Sequence, residues 1–333
     1  MRGFEFRLIF IFTLLWPTIT TLQGAEQGLH QVYRVNIPSS AYPDKRLEGF
    51  AIKTVSSKSL ISCAQECLKL FPRCKSYNYI NTAGICELNS NGVSGTDSEN
   101  LKEMKSALGA VFTEILEQKI LFKHCSDHFK YGAKLNGLYY VQDTHHNWYP
   151  AYCDFTSEAG KAWALVLSFS YANRAKQEFT TSYFPKDDPL AEDNPNWQAY
   201  RLSRQRMESL QGASVRWRVT CNFATMALDN RDYLKARISE LNLFTFDGKS
   251  KCGKVEYINV MGHNCSACTA SFYQFDGQIF HHDGTATGCT FTPASGSVPS
   301  QDNFGFYDNT NTNFRCTSSN ESTTSYWFGA DIY

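Results

Sequence analysis

The chain has 333 residues, with 32 basic against 32 acidic side chains and no long run of one sign. That balance argues against nucleic acid, an anionic membrane surface or polyanionic mineral nucleation as its main business. The length suits two domains at roughly 150 residues each, and twelve cysteines with an aromatic share of 14% are the departures from ordinary globular composition.

Residues 1–24 read as a secretory signal peptide. Arg2 and Arg7 precede or open an apolar run from Leu8 to Trp16 that only Thr13 interrupts, and the small residues Gly24 and Ala25 follow. This is the charged, apolar, small-residue order of an export signal, with cleavage expected near Gly24. The run is about half the roughly 20 apolar residues a spanning helix needs, and the best later stretch, Trp163–Phe169, is only strand-length. The expectation is a secreted, extracellular protein with no membrane span. An exported chain keeps its cysteines as disulfides. They form a tight group of four (Cys63, Cys67, Cys74, Cys86) and a spread group of eight (Cys125, Cys153, Cys221, Cys252, Cys265, Cys268, Cys289, Cys316), each even.

The first group lies in a domain assigned to residues 25–119, with its boundary near Gln118. Ser59 can cap a helix whose apolar residues Leu60, Ile61, Ala64, Leu68 and Leu70 recur at helical intervals. Cys63 and Cys67, four apart, leave one face of it. Ser76–Ile80 alternates like a strand, Cys86-Glu87-Leu88 follows, and Asn89–Asn100 reads as an exposed interdomain loop. The pattern C-x3-C-x6-C-x-Ser-aromatic-Asn-aromatic, then C-E-L-N, resembles the PAN/apple family. Phe50-Ala51-Ile52 would be an early strand and Ala110-Val111-Phe112 the closing one. The resemblance implies a helix packed on an antiparallel sheet, the pairs Cys63–Cys86 and Cys67–Cys74, and binding to proteins or carbohydrates. The cysteines of the outer bridge in longer apple domains are missing, so this is the shorter PAN type.

Residues 120–333 form the second predicted domain. Cys125 and Cys153 flank a turn at Asn136-Gly137, a strand Leu138–Val141 and another ending at Tyr152-Cys153-Asp154, and Trp163–Leu167 follows as a buried strand. This segment resembles the start of a fibrinogen-related domain, in which Y-C-D-M and G-G-W-T-L-V stand where this chain has Y-C-D-F and K-A-W-A-L-V. The resemblance implies Cys125–Cys153 and a divergent α+β domain, so the whole chain is expected to be α+β and disulfide-rich. Gln198–Leu210 reads as a helix with Leu202, Met207 and Leu210 inward and Arg201, Arg204 and Arg206 on a solvated face. Val215–Phe223 alternates as a strand. The tail sits where fibrinogen-related domains carry a calcium loop before a cysteine and a final aromatic strand, here Tyr326-Trp327-Phe328. Asp302 and Asp308 are the candidate oxygen ligands for calcium, although the family's Asp-x-Asp is missing. The later divergence is similar to intelectin-type lectins.

Residues 263–268, HNCSAC, combine a C-x-x-C, a neighbouring His263 and an N-x-S sequon. Under export, Cys265 and Cys268 are half-cystines, paired with each other or with neighbours such as Cys252 and Cys289. Cys221 and Cys316 are likewise unassigned. Asn264 and Asn320 satisfy the glycosylation sequon. No H-E-x-x-H, G-x-S-x-G or P-loop occurs, and His281 and His282, adjacent on a strand, would face opposite ways. No catalytic residue is therefore assigned, and calcium is the one candidate cofactor. The expected function is a secreted matrix or adhesion protein that binds extracellular proteins or glycans. Its domain pairing resembles proteins of the cnidarian (coral) skeletal organic matrix, which implies a place in a calcified tissue. The alternative is a soluble innate-immune lectin.

Overall fold

A computed structural model describes residues 33–35, 41–70, 73–115, 117–119, 122–284 and 288–332, so the predicted signal peptide lies outside the described residues. The chain divides into two compact units, residues 1–120 and 121–333.

The first unit comprises β1 (Tyr33–Val35), β2 (Ala41–Leu47), β3 (Ala51–Ser56), α1 (Leu60–Lys69), β4 (Ser76–Ile80), β5 (Ile85–Asn89), β6 (Met104–Glu114) and β7 (Glu117–Lys119). β1 pairs with β7, and the other five strands form an antiparallel sheet in the order β2-β6-β4-β5-β3. α1 begins where it does because Ser59 and Ser62 cap each other's backbone N–H, both at 3.1 Å, a capping box that satisfies two orphan donors. Its buried face is Cys63, Ala64 and Cys67. Cys63 is bonded to Cys86 on β5, and Cys67 to Cys74 just before β4. These bridges supplement a small core formed around Tyr77, Tyr79 and Leu88, as a domain of this size requires. Ile61, one of the apolar residues in the helical spacing, is 54% exposed.

Asn78 is fully buried on β4 and ties it to the end of β2. Its Oδ1 accepts the Leu47 N–H at 2.9 Å, and its Nδ2 donates to the Leu47 carbonyl at 2.8 Å and to Glu87 Oε2 at 3.0 Å. Asn78→Ala should strand these groups at a cost of about 1–3 kcal/mol. In native-state hydrogen exchange on the full chain, the Leu47 amide should exchange about tenfold faster or more; unchanged exchange would show that the amide is held by something else.

The segment read as an interdomain loop, Asn89–Asn100, lies inside this unit between β5 and β6. Val93 is buried, and the Glu114 carboxylate accepts the N–H groups of Val93 and Ser94 and the Ser94 hydroxyl. Polar composition suggested exposure, but a single buried acid gives those polar groups partners and holds the segment against the sheet.

The second unit comprises α2 (Cys125–Lys130), β8 (Gly137–Gln142), β9 (Trp148–Asp154), β10 (Lys161–Ser170), α3 (Gln177–Thr180), β11 (Ala199–Arg201), α4 (Arg204–Gly212), β12 (Arg216–Cys221), β13 (Tyr233–Arg237), β14 (Gly248–Val260), β15 (His263–Phe275), β16 (Gln278–Asp283), β17 (Asp302–Asn303) and β18 (Thr323–Asp331). Ten strands run in the order β17-β16-β15-β14-β13-β12-β18-β10-β9-β8, with β11 added on β10 to make an eleven-stranded sheet. β18, late in the chain, occupies an interior position between β10 and β12. Gly329 is required there: a Cβ would meet Trp163 Cε3 at 2.4 Å.

Trp163, Trp217 and Trp327 are fully buried on this sheet, Trp217 on the face opposite the other two. Arg218 is also fully buried, and its guanidinium lies 4.3 Å from the Trp163 ring centroid and 4.9 Å from that of Trp327. It donates to Asp154 Oδ2 at 2.7 Å, Ser157 Oγ at 2.8 Å and Glu158 Oε1 at 3.1 Å. A buried cation needs such partners to offset its lost hydration. Burial pushes the Asp154 and Glu158 carboxyls up, but the nearby Arg218 charge and the hydrogen bonds outweigh it and hold both below the ordinary carboxylate range.

The α+β expectation gives way to a mostly-sheet protein: eighteen strands and four α-helices are found among the described residues, the longest helix having 10 residues. One cause is visible at Gln198–Leu210. Its second half is α4, with Met207 and Leu210 buried as expected, but Ala199–Arg201 pairs with Leu167–Phe169 as β11. Arg201 is consequently buried rather than solvated. Its guanidinium donates to the carbonyls of Glu178, Ser182, Tyr183 and Lys186 at 2.9–3.2 Å, pinning the segment around α3. Helical spacing continued through a stretch whose conformation is decided by a distant strand.

Candidate functional site

β16 and β17 bring together three groups from separate parts of the sequence. His281 and Asp283, two residues apart on β16, share one face, and the ladder sets Asp283 directly opposite Asp302 of β17. Their ligand atoms lie within 4.8 Å of one another, with His281 and Asp302 buried and Asp283 half-buried. The His281 Nδ1 is 2.9 Å from the Ile279 carbonyl oxygen and donates to it, while Nε2 faces Asp302 Oδ1 at 3.8 Å. The other Asp302 oxygen accepts the N–H groups of Asp308 and Asn309 at 2.9 and 2.7 Å. Burial lowers the imidazole of His281 to about 4, so the ring is neutral at neutral pH. Burial raises the Asp302 carboxyl to about 6, with the charges of Asp283 and Asp308 adding to the rise against the two backbone donors.

Of the two candidate calcium ligands, Asp302 thus sits in a cluster whose other members are His281 and Asp283. Asp308 is exposed and contributes its N–H. The spacing H-x-D on a strand was the available signal for the first two, but the partner lies on a different strand nineteen or more positions on. His282 faces the opposite side, with its Nδ1 at 2.7 Å from the Ser271 carbonyl oxygen and its ring edge-on to Phe272 and Phe291.

HNCSAC forms the start of β15. Cys265 is bonded to Cys268, Cys252 to Cys289, Cys221 to Cys316 and Cys125 to Cys153. Residues three apart on a regular strand point to opposite faces. Here Ala267 adopts φ 50° and the β14–β15 ladder passes from Val255↔Cys268 to Tyr257↔Ser266 without pairing the residues between. The buried positions of β14 change from Gly253 and Val255 to Ile258 and Val260 across that point. The disulfide sits at this change of face, and its sulfurs are committed to each other rather than to a metal. His263 is exposed beside Phe291. Both sequon asparagines, Asn264 near the start of β15 and Asn320 before β18, are exposed.

A second feature went unread in the sequence. An open cleft of about 530 Å³ is lined by Asn136, Tyr152, Thr156, Trp197, Phe223 and Met226 among others. Tyr152 meets Trp197 edge-on at 5.0 Å, and Phe223 lies 5.8 Å from Trp197. Rings offering apolar faces beside a few polar groups are the common make-up of a small-ligand site. Its residues come from four distant segments, which composition alone cannot assemble.

Residues 39–109 match the PAN domain family, so the first unit contains a PAN domain. PAN domains mediate protein or carbohydrate binding and adhesion. No curated protein matches the chain. Among the described residues no helix is long and apolar enough to cross a membrane.

Proposed function

We propose that this chain is a secreted adhesion or matrix protein, a binding protein rather than an enzyme, whose PAN domain and divergent fibrinogen-related second unit engage extracellular proteins or glycans. The PAN match carries this reading. Six disulfides with no free cysteine among the described residues support export to an oxidising compartment,. The segment Cys125–Trp163 supports the fibrinogen-related assignment by its resemblance to that family's opening. On the resemblance to coral skeletal organic matrix proteins, the setting is a calcified matrix, where a chain of zero net charge would attach through its partners rather than directly to mineral. Antibody detection in the source tissue tests this. Recovery from the insoluble, demineralised matrix is expected, and recovery from body fluid alone would overturn it.

The aromatic cleft favours a second reading, a soluble lectin. That reading expects sugar-competable retention on a glycan array that falls in Trp197→Ala. Uniform lack of retention would sink it.

A further inference from the structure

We propose that His281, Asp283 and Asp302 form a binding site for a divalent transition-metal ion of the zinc type, independently of what the protein adheres to. The argument begins with the ladder. Asp283 and Asp302 are direct cross-strand partners, so the pairing brings two carboxylates to one place. His281 completes the group. A carbonyl oxygen can only accept, so the contact with Ile279 puts the ring proton on Nδ1. The Nε2 lone pair then points at the carboxylates, on a side chain that is 1% exposed. At 3.8 Å from Asp302 Oδ1 it is too far for a hydrogen bond. It is close to the separation of two ligand atoms sharing one tetrahedral zinc, roughly 3.4 Å for bonds of about 2.1 Å.

The supporting contacts have the form that metal ligands show. A backbone carbonyl fixes the histidine tautomer, and two backbone N–H groups hold Asp302 by its far oxygen, leaving Oδ1 turned inward,. Half-buried Asp283 provides the solvent side through which an ion enters. The donor set selects the ion. Calcium takes six to eight oxygens in a wide shell, whereas one imidazole nitrogen and two carboxylates in a tight group suit zinc and its neighbours. Three protein ligands leave a tetrahedral ion one further position, for water or for an oxygen of a bound partner.

The test uses the full secreted chain, stripped with a chelator and titrated calorimetrically with zinc chloride and calcium chloride, with cobalt(II) as an absorbing substitute. Expected are one equivalent of zinc, visible cobalt bands that zinc abolishes, and no competition by calcium. Asp283→Asn should weaken zinc by about tenfold or more, and His281→Gln should remove it, with circular dichroism confirming that both variants fold. The wild-type titration decides the matter even if a variant fails to fold. No stoichiometric zinc uptake, uptake of calcium instead, or unchanged affinity in a folded Asp283→Asn protein would each overturn the assignment.

Discussion

Arg218→Met is expected to lower the stability of the second unit by about 3–5 kcal/mol, the usual cost of breaking a buried ion pair from one side. The methionine fills much of the space between Trp163 and Trp327, so packing is not the main loss. The loss comes from Asp154, which is fully buried and would keep its charge without a counterion. Every tryptophan except Trp16 lies in the second unit, so intrinsic fluorescence in a urea titration follows this unit. The pH dependence provides a second check. Asp154 and Glu158 are held below the ordinary carboxylate range in the folded protein. Their contribution is therefore present above about pH 4 and lost as pH falls through the folded values. Without Arg218, burial of Asp154 is opposed only by the hydrogen bonds from Ser157 and Thr156, so its carboxyl moves up and acidification costs the variant less than it costs the wild type. The stability gap should narrow toward low pH. A shift below about 1 kcal/mol at neutral pH, or a gap that widens on acidification, would contradict this account.

The second large effect belongs to Cys221–Cys316, which closes a sequence separation of 95 residues. Chain-entropy reasoning assigns such a loop about 4–5 kcal/mol, against about 2 kcal/mol or less for Cys265–Cys268 with its separation of 3,. Replacing each pair by two alanines and comparing urea midpoints by fluorescence should rank them in that order. A larger loss from the short bridge would mean that the change of face on β15 depends on the disulfide more than the long loop does.

Local signals made much of the fold legible. Ser59 before an apolar 3–4 spacing marked α1, and the cysteine spacing around it carried the PAN resemblance. The unbroken Trp163–Leu167 run marked β10, and the alternation of Val215–Phe223 marked β12. What stayed hidden was settled by pairing across long separations. Arg201 continues the period of α4 but is drawn into β11 by β10. Six cysteines admit fifteen pairings, and only the registers of β12, β14 and β15 select among them. The candidate site was half legible. Asp302 was identified from the tail, but the partners that surround it come from β16, and Asp308 contributes through its backbone.

The interior place of β18 has a consequence for synthesis. Lys161 pairs with Asp331 and Arg216 with Gly329, so neither β10 nor β12 gains that neighbour until residues 323–331 have left the ribosome. Until then the nascent unit carries two unfilled, apolar strand edges, which are templates for aggregation. Contacts this distant in sequence also form slowly. Completion of this sheet therefore waits on β18, and the partial sheet needs shielding until its central strand arrives.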